Sequence, residues 1–132
     1  MAITVVIADD QQLQRHGYRM ILDSQADLEV VGEAGDGAQA LAIVRRIRTD
    51  VVLMDIQMPR VNGIMAAERI ASDSQVLQLG AAPRIILLTA VDLDDHVPAA
   101  AAAGASAVLS KDVPAEALLD TIRAAALSRG QE

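Results

Sequence analysis

The sequence has no cysteine, no phenylalanine and no tryptophan, and Tyr18 is its one aromatic residue. Without thiols, neither disulfides nor thiolate metal sites are available, which allows a reducing compartment without requiring one. Without large rings, the core must be packed from Ile, Leu, Val, Met and Ala. Basic charge is also scarce: the net charge is −7 at pH 7 and the pI is near 4.7. The chain therefore lacks the basic footprint that supplies most non-specific affinity for nucleic acid. Long apolar runs are missing as well. Residues 1–8 have no basic lead-in and are cut off by Asp9 and Asp10, unlike a secretory signal. The Ala-rich stretch 97–109 is too short and too weakly apolar to span a bilayer. A soluble, cytoplasmic protein is expected, and 132 residues suffice for one domain with its own core.

What is present is an alternation of short apolar runs with segments of helical periodicity. Residues 3–8, 28–32, 51–54, 84–89 and 105–110 predict five strands. Leu13, Gly17, Met20 and Ile21 recur at helical spacing and predict the apolar face of a first helix that ends near Ser24. A second helix is predicted over 38–48, with Arg45, Arg46 and Arg48 on its solvated side. Asn62 caps a third helix that begins at Gly63 and reaches about Ser72. The acidic group at Asp92, Asp94 and Asp95 opens a fourth, which Gly104 stops. Pro114 opens a fifth, with Leu118, Leu119, Ile122 and Ala126 along one side.

The run Gly32-Glu33-Ala34-Gly35-Asp36-Gly37 lacks G-x-G-x-x-G spacing. It reads as a turn with Asp36 as N-cap and Gln39 reaching back. Continuous apolar strands alternating with helices predict a single doubly wound parallel sheet; in the flavodoxin-like (βα)5 strand order 2-1-3-4-5, strands one and three are neighbours at the switch point. Right-handed crossovers then place helices on both faces.

The polar residues all fall at one end of that sheet. Strand one ends at Asp9-Asp10, strand three at Asp55, strand four at Thr89, and strand five runs into Lys111. In open α/β sheets, ligands bind outside the carboxyl ends of the strands, at the switch point between strands one and three. Three carboxylates gathered there repel; at ~5 Å and an effective dielectric of ~20 each ionised pair costs roughly 3 kcal/mol. Lys111 offsets part of this. An oxygen-only site suits a hard divalent ion, Mg²⁺ before Ca²⁺. Carboxylate, Mg²⁺, hydroxyl and ammonium together predict a phosphoryl-transfer site with Asp55 as acceptor. His16 and His96 have no partner ligand at metal spacing and read as surface or helix-end residues.

The same residues carry a resemblance. Ala8-Asp9-Asp10, the block from Leu53 to Pro59 with Asn62-Gly63, Thr89-Ala90, Ala103-Gly104-Ala105-Ser106 and Ser110-Lys111-Asp112 together resemble the receiver domain of bacterial two-component response regulators. Residues 30–37 and the Lys111-Asp112 pair further resemble the NarL/LuxR-type branch. The resemblance covers residues 1–127 as a receiver domain, with 128–132 as the start of a linker or tail. It implies that a sensor histidine kinase phosphorylates Asp55. It also implies that Asp9, Asp10, Asp55 and the Gln57 backbone carbonyl hold Mg²⁺, and that Thr89 and Lys111 contact the phosphoryl oxygens. The protein so implied is a switch rather than an enzyme, at most assisting its own phosphorylation and dephosphorylation. Homodimerisation on phosphorylation is a further expectation. Members of the branch usually regulate transcription through a carboxyl-terminal helix-turn-helix domain; none lies within these residues, so DNA binding would belong to a domain outside this chain.

Three departures accompany the resemblance. Lys111 is followed by Asp112 rather than proline, Val108 stands where the family usually has Phe or Tyr, and the 72–83 segment is longer than expected. Val108 cannot swing a ring, so readout is expected to fall on residues 90–103 after Thr89. Two rival functions are weaker. A haloacid-dehalogenase-like phosphatase wants a second Asp two residues after the nucleophile, where this chain has Gln57. A phosphorylation-independent interaction module would not need the full set of Asp9, Asp10, Asp55, Thr89 and Lys111.

Overall fold

A computed structural model describes residues 2–90 and 93–130. Five parallel strands, β1 Ile3–Ala8, β2 Leu28–Ala34, β3 Val51–Asp55, β4 Arg84–Thr89 and β5 Ala107–Ser110, form one sheet in the order β2-β1-β3-β4-β5. Around it lie α1 Gln12–Asp23, α2 Gly37–Arg46, α3 Gly63–Ser72, α4 Ser74–Gln78, α5 Val97–Ala102 and α6 Ala115–Gly130. This is the doubly wound, flavodoxin-like architecture expected from the alternation of strand and helix.

The strands read as continuous apolar runs because both faces are covered. Alternate residues feed two cores. Val6, Ala8, Val52, Met54, Ile85 and Leu87 pack with Ala40 and Val44 of α2, Ala66, Ala67 and Ile70 of α3 and Ala100 of α5. Val5, Ile7, Val51, Leu53, Ile86 and Leu88 pack with Leu22 of α1 and Leu118, Leu119, Ile122 and Ala125 of α6. Helix ends are closed as the sequence suggests. Asp36 accepts a hydrogen bond from the Gln39 N–H at 2.8 Å, and the Gln39 side chain accepts one from the Gly35 N–H at 2.7 Å. Asn62 accepts one from the Met65 N–H at 2.9 Å. Each such cap contributes about 1 kcal/mol.

Several boundaries differ from expectation. β2 continues two residues beyond Gly32 to Ala34, and β5 begins at Ala107 because Ala105 is spent on the α5 terminus, donating to the Ala100 carbonyl at 3.0 Å. α2 stops at Arg46, since Ile47 is already extended. The long 72–83 segment contains the separate helix α4, capped by Asp73, whose carboxylate accepts from the N–H groups of Gln75 and Val76 and also pairs with Arg45 at 2.7 Å. The acidic stretch before α5 forms a 3-10 turn, Leu93–Asp95, and α5 itself begins at Val97. Asp92 lies outside the described residues. Gly104 ends α5 at φ +88°, a conformation that a side chain resists.

The largest correction concerns α1. Leu13 is 87% exposed and Met20 64%, and Gly17 also faces solvent. The helix instead buries Leu22, half-buries Tyr18 and Ile21 against the α6-side core, and half-buries Gln14. Its inward face is rotated by about one residue, or 100°, from the face drawn by Leu13, Gly17 and Met20.

Candidate functional site

β1 and β3 are hydrogen-bonded neighbours, with Ala8 opposite Met54, so their carboxyl ends deliver Asp9, Asp10 and Asp55 to one edge of the sheet. Carboxylate oxygens of these three residues lie within 4.8 Å of one another. Asp9 and Asp55 are buried and Asp10 is exposed. Thr89 and Ser110 are paired across β4 and β5, which brings Lys111 to the same edge. All five residues singled out in the sequence therefore meet here.

Lys111 Nζ donates to Asp55 Oδ2 at 2.9 Å and to Asp9 Oδ2 at 3.2 Å. The other oxygens of the two carboxylates are held by the backbone: Asp55 Oδ1 accepts from the Gln57 N–H at 3.1 Å, and Asp9 Oδ1 from the Gln11 N–H at 2.9 Å. Burial raises the Asp55 pKa; Lys111 and the Gln57 N–H act against this, while the charge on Asp9 adds to it. For Lys111, burial opposes the ammonium, but the hydrogen bond to Asp55 and the charges of Asp55 and Asp9 together raise its pKa. Three carboxylates and one ammonium leave a formal surplus of two negative charges. Their donor set is wholly hard oxygen, and the residues fit a small divalent cation of the Mg²⁺ class.

The loop 57–62 and the start of α3 shape the rest of the site. The Gln57 side-chain amide lies 3.4 Å from the Thr89 hydroxyl, which is fully buried. The Ile56 N–H donates to the Leu88 carbonyl at 2.9 Å, and the Gly63 N–H donates to the Ile56 carbonyl at 2.9 Å, so α3 begins directly against the end of β3. Among the described residues no peptide bond is cis, that between Lys111 and Asp112 included.

Arg60 adopts φ +67° in this loop, the only non-glycine among the described residues to do so. Its side chain is 83% exposed and reaches Asp36 at 3.4 Å, a contact of small value at such exposure. Arg60→Gly should accordingly stabilise the protein by about 1 kcal/mol, because the left-handed conformation costs an L side chain roughly that much. Urea unfolding of the two proteins checks this; a variant no more stable than the parent would refute it.

Two residues of the site were not foreseen. Gln14, on α1, accepts a hydrogen bond from Lys111 Nζ. The half-buried Tyr18 hydroxyl has a pKa raised by burial, and it also feels Lys111, Asp9 and Asp55. The one available signal was position: Gln14 lies four residues beyond Asp10, in the first turn of α1.

A parallel sheet of order 2-1-3-4-5 with an acidic pocket at the switch point between β1 and β3 defines a flavodoxin-like α/β domain. Within that class, residues 5–123 match the response regulator receiver domain, and the chain belongs to that family. It is 44% identical over 126 residues to the transcriptional regulatory protein YxjL of Bacillus subtilis, covering 94% of this chain and 54% of that protein. It is 39% identical over 122 residues to the nitrate/nitrite response regulator protein NarP of Escherichia coli, covering 92% of this chain and 54% of that protein. The chain thus spans about half the length of these relatives. A LuxR-family two-component response regulator from Aurantimonas sp. SI85-9A1 superposes with a TM-score of 0.85 at 28% identity, over 98% of this chain and 88% of that one. These relatives are of the NarL/LuxR type anticipated from the sequence. Among the described residues, no helix is long and apolar enough to cross a membrane.

Proposed function

We propose that Asp55 accepts a phosphoryl group from the phosphohistidine of a partner sensor histidine kinase, and that this modification switches the surface controlling output. The observation that carries the proposal is the gathering of Asp9, Asp10 and Asp55 within 4.8 Å beside Lys111. Asp9, Asp10, Asp55 and the Gln57 backbone carbonyl would hold Mg²⁺, which when bound neutralises the surplus charge of the pocket and that of the incoming phosphoryl oxygens.

An Asp55 carboxylate oxygen forms the new bond to phosphorus as the P–N bond to the imidazole breaks; the leaving nitrogen keeps the electron pair and takes up a proton. Such transfers need positioning and charge stabilisation more than covalent assistance. The Gln57 N–H fixes the Asp55 carboxylate, Lys111 pairs with the transferred oxygens, and Thr89 donates its hydroxyl to another. The chain acts as a switch that is itself modified, at most assisting its own phosphorylation and dephosphorylation.

Val108 is half-buried in the α2/α3-side core opposite Leu87 and has no ring to rotate. Its branched β-carbon restricts it further. Capture of Thr89 by the phosphoryl group would therefore be expressed through the loop after β4 and through α5, which buries Ala100 alone, with Ala103 just past its end. The receiver unit comprises residues 1–127, with α6 running on to Gly130, and 128–132 are the start of a linker or tail. Because the similar protein YxjL is a transcriptional regulatory protein about twice this length, that output is transcription through a helix-turn-helix domain outside this chain, with a homodimer formed on phosphorylation. The setting is cytoplasmic.

The test is incubation with phosphoramidate and Mg²⁺, followed by mass analysis of peptides trapped before the acyl phosphate hydrolyses. One phosphoryl group on the peptide bearing Asp55, and none when Mg²⁺ is chelated, is expected. Label on another residue, or uptake indifferent to Mg²⁺, contradicts the proposal.

A further inference from the structure

An ammonium has three protons to donate, and Lys111 meets three acceptors: Asp55 Oδ2, Asp9 Oδ2 and Gln14 Oε1. The Lys111 side chain is 11% exposed, so water does little to orient it. The three acceptors differ in what phosphorylation does to them. Asp55 loses its carboxylate charge when one oxygen becomes part of the acyl phosphate, and with it most of its strength as an acceptor. Asp9 belongs to the carboxylate cluster whose charge a bound cation would share. Gln14 is neutral, lies outside that cluster, and keeps the same carbonyl in every state.

Its position is also well anchored. α1 is docked through buried Leu22, and Arg15, the next residue, donates to the Asp9 backbone carbonyl at 2.6 Å. The helix that carries Gln14 is thus tied to the strand end that carries Asp9.

We propose that Gln14 is a positioning residue for Lys111, holding the ammonium at the phosphoryl site while its two carboxylate partners change character. The proposal rests on Asp55 being the acceptor. In the resting protein Gln14 takes the third proton and leaves two for the carboxylates. After transfer it is the fixed point about which the ammonium turns from the Asp55 oxygen to a phosphoryl oxygen. Without it, one proton of a mostly buried donor is left to water from the adjoining cleft, which Lys111 also lines, and the side chain is free to settle wholly on Asp9.

Gln14→Met removes the acceptor and nearly preserves length. The side chain borders an open cleft of about 400 Å³ with Gly17, Tyr18 and Ile21, so a thioether fits. Gln14→Leu is a second substitution lacking the acceptor. Both should slow phosphoramidate-dependent phosphorylation at saturating Mg²⁺ about tenfold, the scale set by one hydrogen bond to a charged group. A second readout needs neither metal nor phosphate: in the metal-free protein the Lys111 ammonium protons should exchange with water slowly enough to be seen by ¹⁵N NMR in wild type, and should be lost to fast exchange in both variants.

A wild-type phosphorylation rate in both variants overturns the proposal, whatever the spectrum shows. A slow rate with unchanged ammonium exchange also overturns it, since the effect would not run through Lys111. If the wild-type protein itself takes up no phosphate on Asp55, the acceptor assignment fails first, and the Gln14 role falls with it.

Discussion

Asp55→Asn should take up no phosphate from phosphoramidate or from a histidine kinase, and it should remain folded. The amide cannot offer the anionic oxygen that attacks phosphorus, so at least a hundredfold loss of labelling is expected, about 3 kcal/mol or more of barrier by the transition-state relation. Stability should move the other way. Asp55 is buried at the end of β3, and burial raises its folded pKa despite Lys111. A raised folded pKa means that the favourable contribution of this group is fully present below its unfolded pKa and is lost as pH rises through the folded value. At neutral pH the ionised carboxylate therefore costs stability, and the neutral amide relieves that cost. The variant should melt at or above the wild-type temperature at pH 7, with the gap closing as pH falls below the ordinary carboxylate range. Thermal unfolding at several pH values checks the sign. Phosphate retained by the variant, or a melting point well below wild type at pH 7, would contradict the acceptor role or the charge argument respectively.

The second large effect is expected at Gly63. A Cβ there would lie 2.3 Å from the Asp55 carbonyl oxygen, 2.9 Å from Ile56 Cα and 3.0 Å from the Asp55 carbonyl carbon. Every one of these atoms is backbone, so no rotamer change makes room. Either α3 must lift from the sheet or the peptide that carries Asp55 must move. Overpacking usually costs ~1–3 kcal/mol, and a backbone clash this close belongs at or above the upper end. Against a total stability of roughly 5–15 kcal/mol, that is a large fraction. Gly63→Ala should lower the urea midpoint accordingly, with the denaturant slope unchanged, and should reduce phosphorylation because the Asp55 carbonyl is among the displaced atoms. A loss below about 1 kcal/mol would show that α3 can tilt away freely.

Gly63 was marked in the sequence as the start of a helix after Asn62, and α3 does begin there. What the sequence could not show is that this glycine presses on Asp55. The pressure depends on where α3 lands, not on its local conformation. Asp73 is similar: as a cap of the short helix α4, tied to Arg45 of α2, its role requires two distant segments to be adjacent. α4 itself has five residues, too few to establish a helical period.

From the sequence alone, the number of strands and their parallel sense follow, because continuous apolar runs separated by helical periods are compatible with few folds other than a parallel sheet covered on both sides; their order is implied by the family resemblance and seen in the sheet itself. The places of Asp9, Asp10, Asp55, Thr89 and Lys111 follow too, since each stands at or just beyond the carboxyl end of an apolar run and parallel strands bring those ends together. Only the tertiary structure decided the face of α1. Residues 13, 17, 20 and 21 and residues 14, 18, 21 and 22 carry the same helical spacing one step apart, and periodicity cannot choose between two faces about 100° from each other. Docking of Leu22 and half-buried Tyr18 against the core chose the second, turning Leu13 and Met20 outward and Gln14 onto Lys111. A helix is a local consequence of its residues, whereas the direction in which it faces depends on what the rest of the chain offers for burial.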